Sequence, residues 1–202
     1  MMDLIHKIIS NAKNPVYLLR RMARYPVYKS KFRQYWFNNN VRDISDITCK
    51  YVWLGKYVSI GKRCRMQGIR RYGDKTFNPE IHLGDFVSII QDFYLTCASR
   101  ISIGENTAIA AFVTITDIDH PYQDPDMPIE KQDITVDEVY IGPDCKIYNG
   151  AVILKGTHIG RHCVVGANSV VKGTFPDYCV IAGSPAKVVR QYNPLTKKWE
   201  KP

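Results

Sequence analysis

No uncharged apolar run in the chain approaches the roughly 20 residues that a membrane-crossing helix needs, which excludes a helical span. The opening MMDLIHKIISNAKNP has too short an apolar stretch for a secretory leader, so a cytoplasmic chain is expected. CxxC pairs are missing too. The six cysteines (Cys49, Cys64, Cys97, Cys145, Cys163 and Cys179) are widely spaced, and without an export signal they are expected to be reduced thiols rather than a disulfide framework. Acidic residues are scarce at both ends. Residues 1–36 hold eight Lys/Arg against Asp3, and residues 187–202 hold five against Glu200, while the formal charge of the whole chain is only +9, so the middle is slightly acidic. Because the motifs of nucleic-acid readers are also absent, the basic ends point away from nucleic acid. They suit a phosphorylated small molecule or an anionic membrane surface, with peripheral contact through the N-terminus.

What the sequence does contain is a six-residue beat. From Ile141 it reads IGPDCK, IYNGAV, ILKGTH, IGRHCV, VGANSV, VKGTFP. The first place of each unit is Ile141, Ile147, Ile153, Ile159, Val165 and Val171; the fifth is Cys145, Ala151, Thr157, Cys163, Ser169 and Phe175. Weaker copies start at Leu54, Ile60, Leu83, Ile103 and Ile109. Six is neither the helical period of 3.6 nor the strand alternation of 2. It is the period of a parallel β-helix, in which short strands stack coil on coil and β-branched side chains fill the interior. An antiparallel sandwich would instead need alternation punctuated by turns. The predicted chain is therefore all-β from 41 to 190, with a tail at 191–202.

Two features depart from the beat. Residues 1–40 are basic and aromatic. Apolar positions Leu4, Ile5, Ile8 and Ile9, then Val16, Leu19 and Met22, predict two helical pieces, broken at Pro15 and closed by Pro26, that cap the first coil. The second departure is TDIDHPYQDPDMPIEKQD, residues 116–133, where the repeat stops beside His120. Buried strands cannot offer a side chain to substrate, so a long loop at 120–138, stiffened by Pro121, Pro125 and Pro128, is where chemistry is expected.

The stretches ITDIDHPY, VYIGPDCKIYNGAVILKGTHIGRHCVVGANSVV and VIAGSPAKVVR resemble the left-handed β-helix hexapeptide-repeat acetyltransferases, the group of galactoside, maltose and polysaccharide O-acetyltransferases. That resemblance implies a homotrimer, acetyl-CoA held in a groove between copies, and a loop projecting beside a catalytic histidine, here His120. Histidine suits the task, since an unperturbed pKa of about 6.5 leaves it largely neutral and able to take a hydroxyl proton. Asp117 or Asp119 would orient its ring. An oxyanion donor would come from a backbone N–H near Gly142 or Asn149. The resemblance places acetyl-CoA along Tyr140, Gly142, Asn149, Gly150, Gly166 and Ala167, with Lys172, Lys187 and Arg190 toward its phosphates. Gln91 and Asp92 are the candidates for the acceptor. Tyr140 stands where relatives often carry Trp, and Lys172-Gly173-Thr174 where they carry Thr-Lys-Asp.

Neither the long helical region of serine acetyltransferases nor a nucleotide-binding domain precedes the repeats, so the expected acceptor is a sugar hydroxyl of a surface polysaccharide or of its lipid- or nucleotide-linked precursor, modified at the inner membrane surface. The alternatives are an antibiotic O-acetyltransferase, a zinc carbonic-anhydrase-like enzyme and a non-catalytic solenoid scaffold. The zinc reading needs three converging histidines, and the spacing of His158 and His162 on a six-residue coil does not bring them together. No metal is expected.

Overall fold

A computed structural model describes residues 15–202. Three sheets form a prism, which the chain visits in a fixed order; their strands are parallel except for Ala186–Asn193 and Lys198–Glu200, which add antiparallel to the end of one sheet. Face A carries Val52–Leu54, Glu80–Leu83, Arg100–Ile103, Val139–Ile141, His158–Ile159 and Thr174–Phe175. Face B carries Asn40–Val41, Ser59–Ile60, Ser88–Ile89, Ala108–Ile109, Lys146–Ile147, Val164–Val165 and Cys179–Gly183. Face C carries Arg65–Gly68, Tyr94–Cys97, Thr114–Thr116, Val152–Ile153 and Val170–Val171. Each coil runs A, B, C and returns to A, the winding of a parallel β-helix.

The register explains the beat. Tyr140 pairs with His158, Lys146 with Val164 and Val152 with Val170, so three six-residue units close one coil. First-place residues Ile141, Ile147, Ile153, Ile159, Val165 and Val171 point inward and are fully buried. Those at fifth places, among them Cys145, Ala151, Thr157 and Cys163, are buried as well. Stacking one Ile above another hides roughly 1.5–3 kcal/mol of apolar side chain per position. The parallel ladders satisfy the backbone polar groups.

Irregular spacing is confined to one corner, the return from face C to face A. Inward residues Met66 and Leu83 are 17 apart across it, Leu95 and Ile103 are 8 apart, and Ile115 and Ile141 are 26 apart, where six is regular. The first of these insertions is a hairpin, Arg71–Tyr72 against Lys75–Thr76, turning at Gly73 with φ +55°. The largest is the excursion after Thr116, in which Ile118–Asp119 pairs antiparallel with Thr135–Val136.

At the head of the prism lies one helix, Pro15–Lys31. Tyr28, with Phe32 and Tyr35 beyond the helix, is buried in the core cluster. Pro26 lies inside this helix and does not close it, contrary to expectation. A proline removes one ladder hydrogen bond, and burial of Tyr28 and Phe32 beyond it holds the following turn in place. The helical piece expected before Pro15 lies outside the described residues. Among those described, no helix is long and apolar enough to cross a membrane.

Candidate active site

His120 stands at the C-to-A corner and is half-buried. The 71–76 hairpin, leaving the same corner nearer the helix, brings Tyr72 edge-on to the imidazole, with ring centroids 5.4 Å apart. Tyr72 Oη lies 3.5 Å from His120 Nδ1 and donates to the Glu130 carbonyl at 2.9 Å. With its proton directed to Glu130, the phenol oxygen can accept from an Nδ1–H, the tautomer in which Nε2 carries the lone pair. Desolvation and then the Glu130 carboxylate hold the phenol above its usual range, so it stays protonated. Lys75 pairs with Asp133 at 3.0 Å, a second tie between hairpin and excursion. From the following coil, Lys155 donates to Thr135 and lies 3.9 Å from Asp119.

Asp117 does something other than expected. It is fully buried, and its two oxygens accept from Ala98 N–H and Ser99 N–H at 2.7 Å each and from the Cys97 thiol at 3.3 Å. It therefore fastens the 97–99 corner and does not orient His120. Burial raises its carboxyl pKa, opposed by these same donors. Cys97, buried beside that carboxylate, is pushed far up and is inert. Asp119 turns toward Lys155 and Thr135, with its own carbonyl accepting from the Thr135 hydroxyl. Neither aspartate is bonded to the imidazole, and that place belongs to Tyr72.

The other expected residues divide by corner. Gly142 is at the A-to-B corner, where a Cβ would come 2.6 Å from Gly160. Its N–H donates to Ile159, so it is not available to an oxyanion. Gln91, Asp92, Asn149, Gly150, Gly166 and Ala167 share the B-to-C corner; coil sits on coil there through Phe112 N–H to Gln91 O, Gly150 N–H to Ala111 O and Asn168 N–H to Asn149 O. Asp92 accepts from Arg63 at 2.5 and 2.7 Å and from Gln91 at 3.0 Å, so the pair is engaged locally; the Arg63 guanidinium holds its carboxyl below the usual range. Tyr140 lies on face A against His158. Lys172 is at the C-to-A corner, and Lys187 and Arg190 lie on Ala186–Asn193; all three are exposed and carry no ion-pair partner among the described residues. One chain thus separates His120 from the B-to-C group by a whole face. Of the described histidines, His82 stacks on Trp53, His158 lies by Tyr140 and His162 meets Asp144 at 2.5 Å.

Tyr72 and Glu130 were not foreseen. The signal was the 17-residue gap from Met66 to Leu83, with a Gly-Asp turn inside it.

Residues 138–173 match the family model described as bacterial transferase hexapeptide (six repeats). Over 155 residues the chain is 36% identical to "Putative lipopolysaccharide biosynthesis O-acetyl transferase WbbJ" of Escherichia coli (strain K12), covering 73% of this chain and 76% of that one. The chain belongs to the hexapeptide-repeat acetyltransferases. A probable acetyltransferase of Mycobacterium tuberculosis is also 36% identical, over 68% of this chain, but the match spans only 43% of that protein. Among solved structures, the hexapeptide-repeat containing acetyltransferase of Vibrio cholerae O1 biovar eltor complexed with acetyl coenzyme A superposes with a TM-score of 0.57. It is 18% identical, and the match covers 95% of this chain and 85% of that one. This last likeness is one of fold.

Proposed function

We propose that the chain is an acetyl-CoA-dependent O-acetyltransferase that acetylates a sugar hydroxyl in surface-polysaccharide synthesis, with His120 as general base. One observation carries the assignment: His120 Nδ1 faces a phenol whose proton is already donated to Glu130. Tyr72 thereby selects the tautomer with Nε2 free, as a base requires. The acyl donor supplies a thioester carbonyl. His120 Nε2 takes the acceptor's hydroxyl proton as its oxygen attacks that carbonyl, and returns the proton to the departing thiolate. Lys172, Lys187 and Arg190, exposed and without acidic partners among the described residues, suit the donor's phosphates.

The working unit is a homotrimer of left-handed prisms, and each site lies between two copies. The scatter of residues over two corners supports this, because the B-to-C corner of a neighbour can face the C-to-A corner that bears His120. That B-to-C corner also exposes Ile90, Phe112 and Tyr148, apolar surface of the kind a second copy covers. The loop 120–138 projects into the same cleft. At the head, Val16, Leu19 and Val27 are exposed on a helix carrying Arg20, Arg21, Arg24, Lys29 and Lys31, which favours an anionic membrane surface near a lipid-linked pool of acceptors.

Thiol release from acetyl-CoA, measured against sugars, sugar nucleotides, lipid-linked sugars and chloramphenicol-like drugs, tests the reading. His120→Ala should lower turnover by roughly 10²- to 10⁴-fold and leave CoA affinity intact. Near-normal turnover in that variant would refute the assignment of the base.

A further inference from the structure

Face A carries an outward column of side chains in strict register. Gln34 lies beside Trp53, Trp53 beside His82, His82 beside Ser102, Ser102 beside Tyr140 and Tyr140 beside His158. Two ring pairs follow from this register. Trp53 and His82 stack at 4.6 Å with 11° between planes, and Tyr140 meets His158 at 4.7 Å. Both separations match the strand spacing of about 4.8 Å, so rings on neighbouring rungs meet, the second pair tilted by 43°, while the end rungs at Gln34 and Thr174 carry none. At Ser102 the ring is missing.

The gap has a definite size. His82 and Tyr140 are two rungs apart, about 9.6 Å, and a planar ring stacked on both needs about 7 Å. A cavity of 360 Å³ opens here, lined by Trp53, His82, Ser102 and Tyr140 together with Gly84, Asp85 and Gly104. Its margins are polar. Ser102 brings a hydroxyl-bearing side chain to its lining, and Asp85, whose Oδ1 accepts from Lys56 N–H at 2.7 Å, has a second carboxylate oxygen to offer an N–H donor. A Phe or Tyr ring from another copy would leave those groups unmatched, whereas a nucleobase has a flat face and an edge of N–H and C=O groups. Arg33, over Trp53 at 5.9 Å, puts a cation about 10 Å from the gap, within reach of a diphosphate attached to such a base.

We propose that the gap at Ser102 is a nucleobase slot and that the acceptor is a nucleotide-linked sugar. The base enters between His82 and Tyr140. The slot belongs to the coil that ends in the His120 excursion; its lining at Gly55, Gly84, Asp85 and Gly104 sets it toward the A-to-B edge of face A, so the linked sugar must cross that face to reach the C-to-A corner that bears the imidazole. The inference rests on the sugar-acetyltransferase reading for the identity of the acceptor; the slot itself rests on the register and the ring spacing.

The test titrates the full chain by calorimetry with uridine, thymidine and guanosine diphosphates and, separately, with CoA. At least one diphosphate should bind, and Ser102→Phe, which fills the gap from an outward-facing position, should weaken it about tenfold or more, the effect expected for losing a stacked base. Ser102→Ala should hold affinity within about threefold, and CoA should bind Ser102→Phe as it binds the parent. Should Ser102→Phe fold poorly, His82→Ala removes one wall instead and should weaken the same diphosphate about fivefold. The proposal is overturned if no diphosphate binds, if neither variant weakens one that does, or if Ser102→Phe weakens CoA as much, which would make the slot the seat of the donor's adenine. Turnover of unlinked or lipid-linked sugars with no diphosphate binding would sink the slot and leave the acetyltransferase standing.

Discussion

Replacing Asp117 separates the ring-orienting role expected of it from the corner-fastening role its hydrogen bonds show. In the folded chain its carboxylate is the acceptor for two backbone N–H groups, Ala98 and Ser99, and Ala98 is only 1% exposed. Asp117→Ala orphans both donors. At about 1–3 kcal/mol for each unsatisfied group, a loss of about 3 kcal/mol is expected after local relaxation. For a chain of this size that corresponds to a fall of about 6–12 °C in the apparent melting temperature. Asp117→Asn keeps one acceptor oxygen and turns an amide N–H₂ toward the second donor, so about half that loss is expected. Circular dichroism on heating gives the first quantity, and turnover per folded molecule at a temperature where both variants are intact gives the second. An asparagine variant of unchanged melting temperature whose turnover fell about 10⁴-fold would show an orienting carboxylate of the triad kind, and the structural assignment would be wrong.

Tyr72→Phe removes the oxygen facing Nδ1 but keeps the ring. It should lower kcat about threefold to tenfold with KM little changed, and an unaltered kcat would remove Tyr72 from the mechanism. Glu80 is held below its usual carboxyl value first by Arg100, at 2.6 Å, and then by His82. Its contribution to stability is therefore present above the unfolded value of 4.5 and is lost as pH falls through the folded one. Arg100→Gln should accordingly melt lower than the parent near about pH 7 and converge with it in acid, and a gap that persisted in acid would point to packing instead.

The inner ladder was readable in advance because each β-branched residue reports its own burial. Ile147 and Val165 lie where a six-residue period puts them, and no distant partner changes that. The site was readable only in part. His120 announced itself by breaking the period, but its neighbour Tyr72 is 48 residues away, and they meet because two insertions leave one corner, a fact visible only once the register is counted coil by coil. Asp117 was paired with His120 by nearness in sequence, which says nothing of which way a side chain turns at the end of a strand, and Asp117 turns inward. Gln91 and Asp92 were placed by order along the chain, whereas Arg63, one coil earlier, claims the carboxylate. The helix ran through Pro26 because aromatic burial on its far side outweighs one missing hydrogen bond.

Because every change of spacing falls at the turn between faces C and A, that edge behaves as a tailor's seam. Cloth can be let out there by two residues or by twenty while the other two edges keep their cut. New specificities can be grafted by exchanging segments at the seam, and the same lengthening attempted at Gly61 or Gly142, where even a β-carbon would collide with the next layer's backbone, should unstack the column.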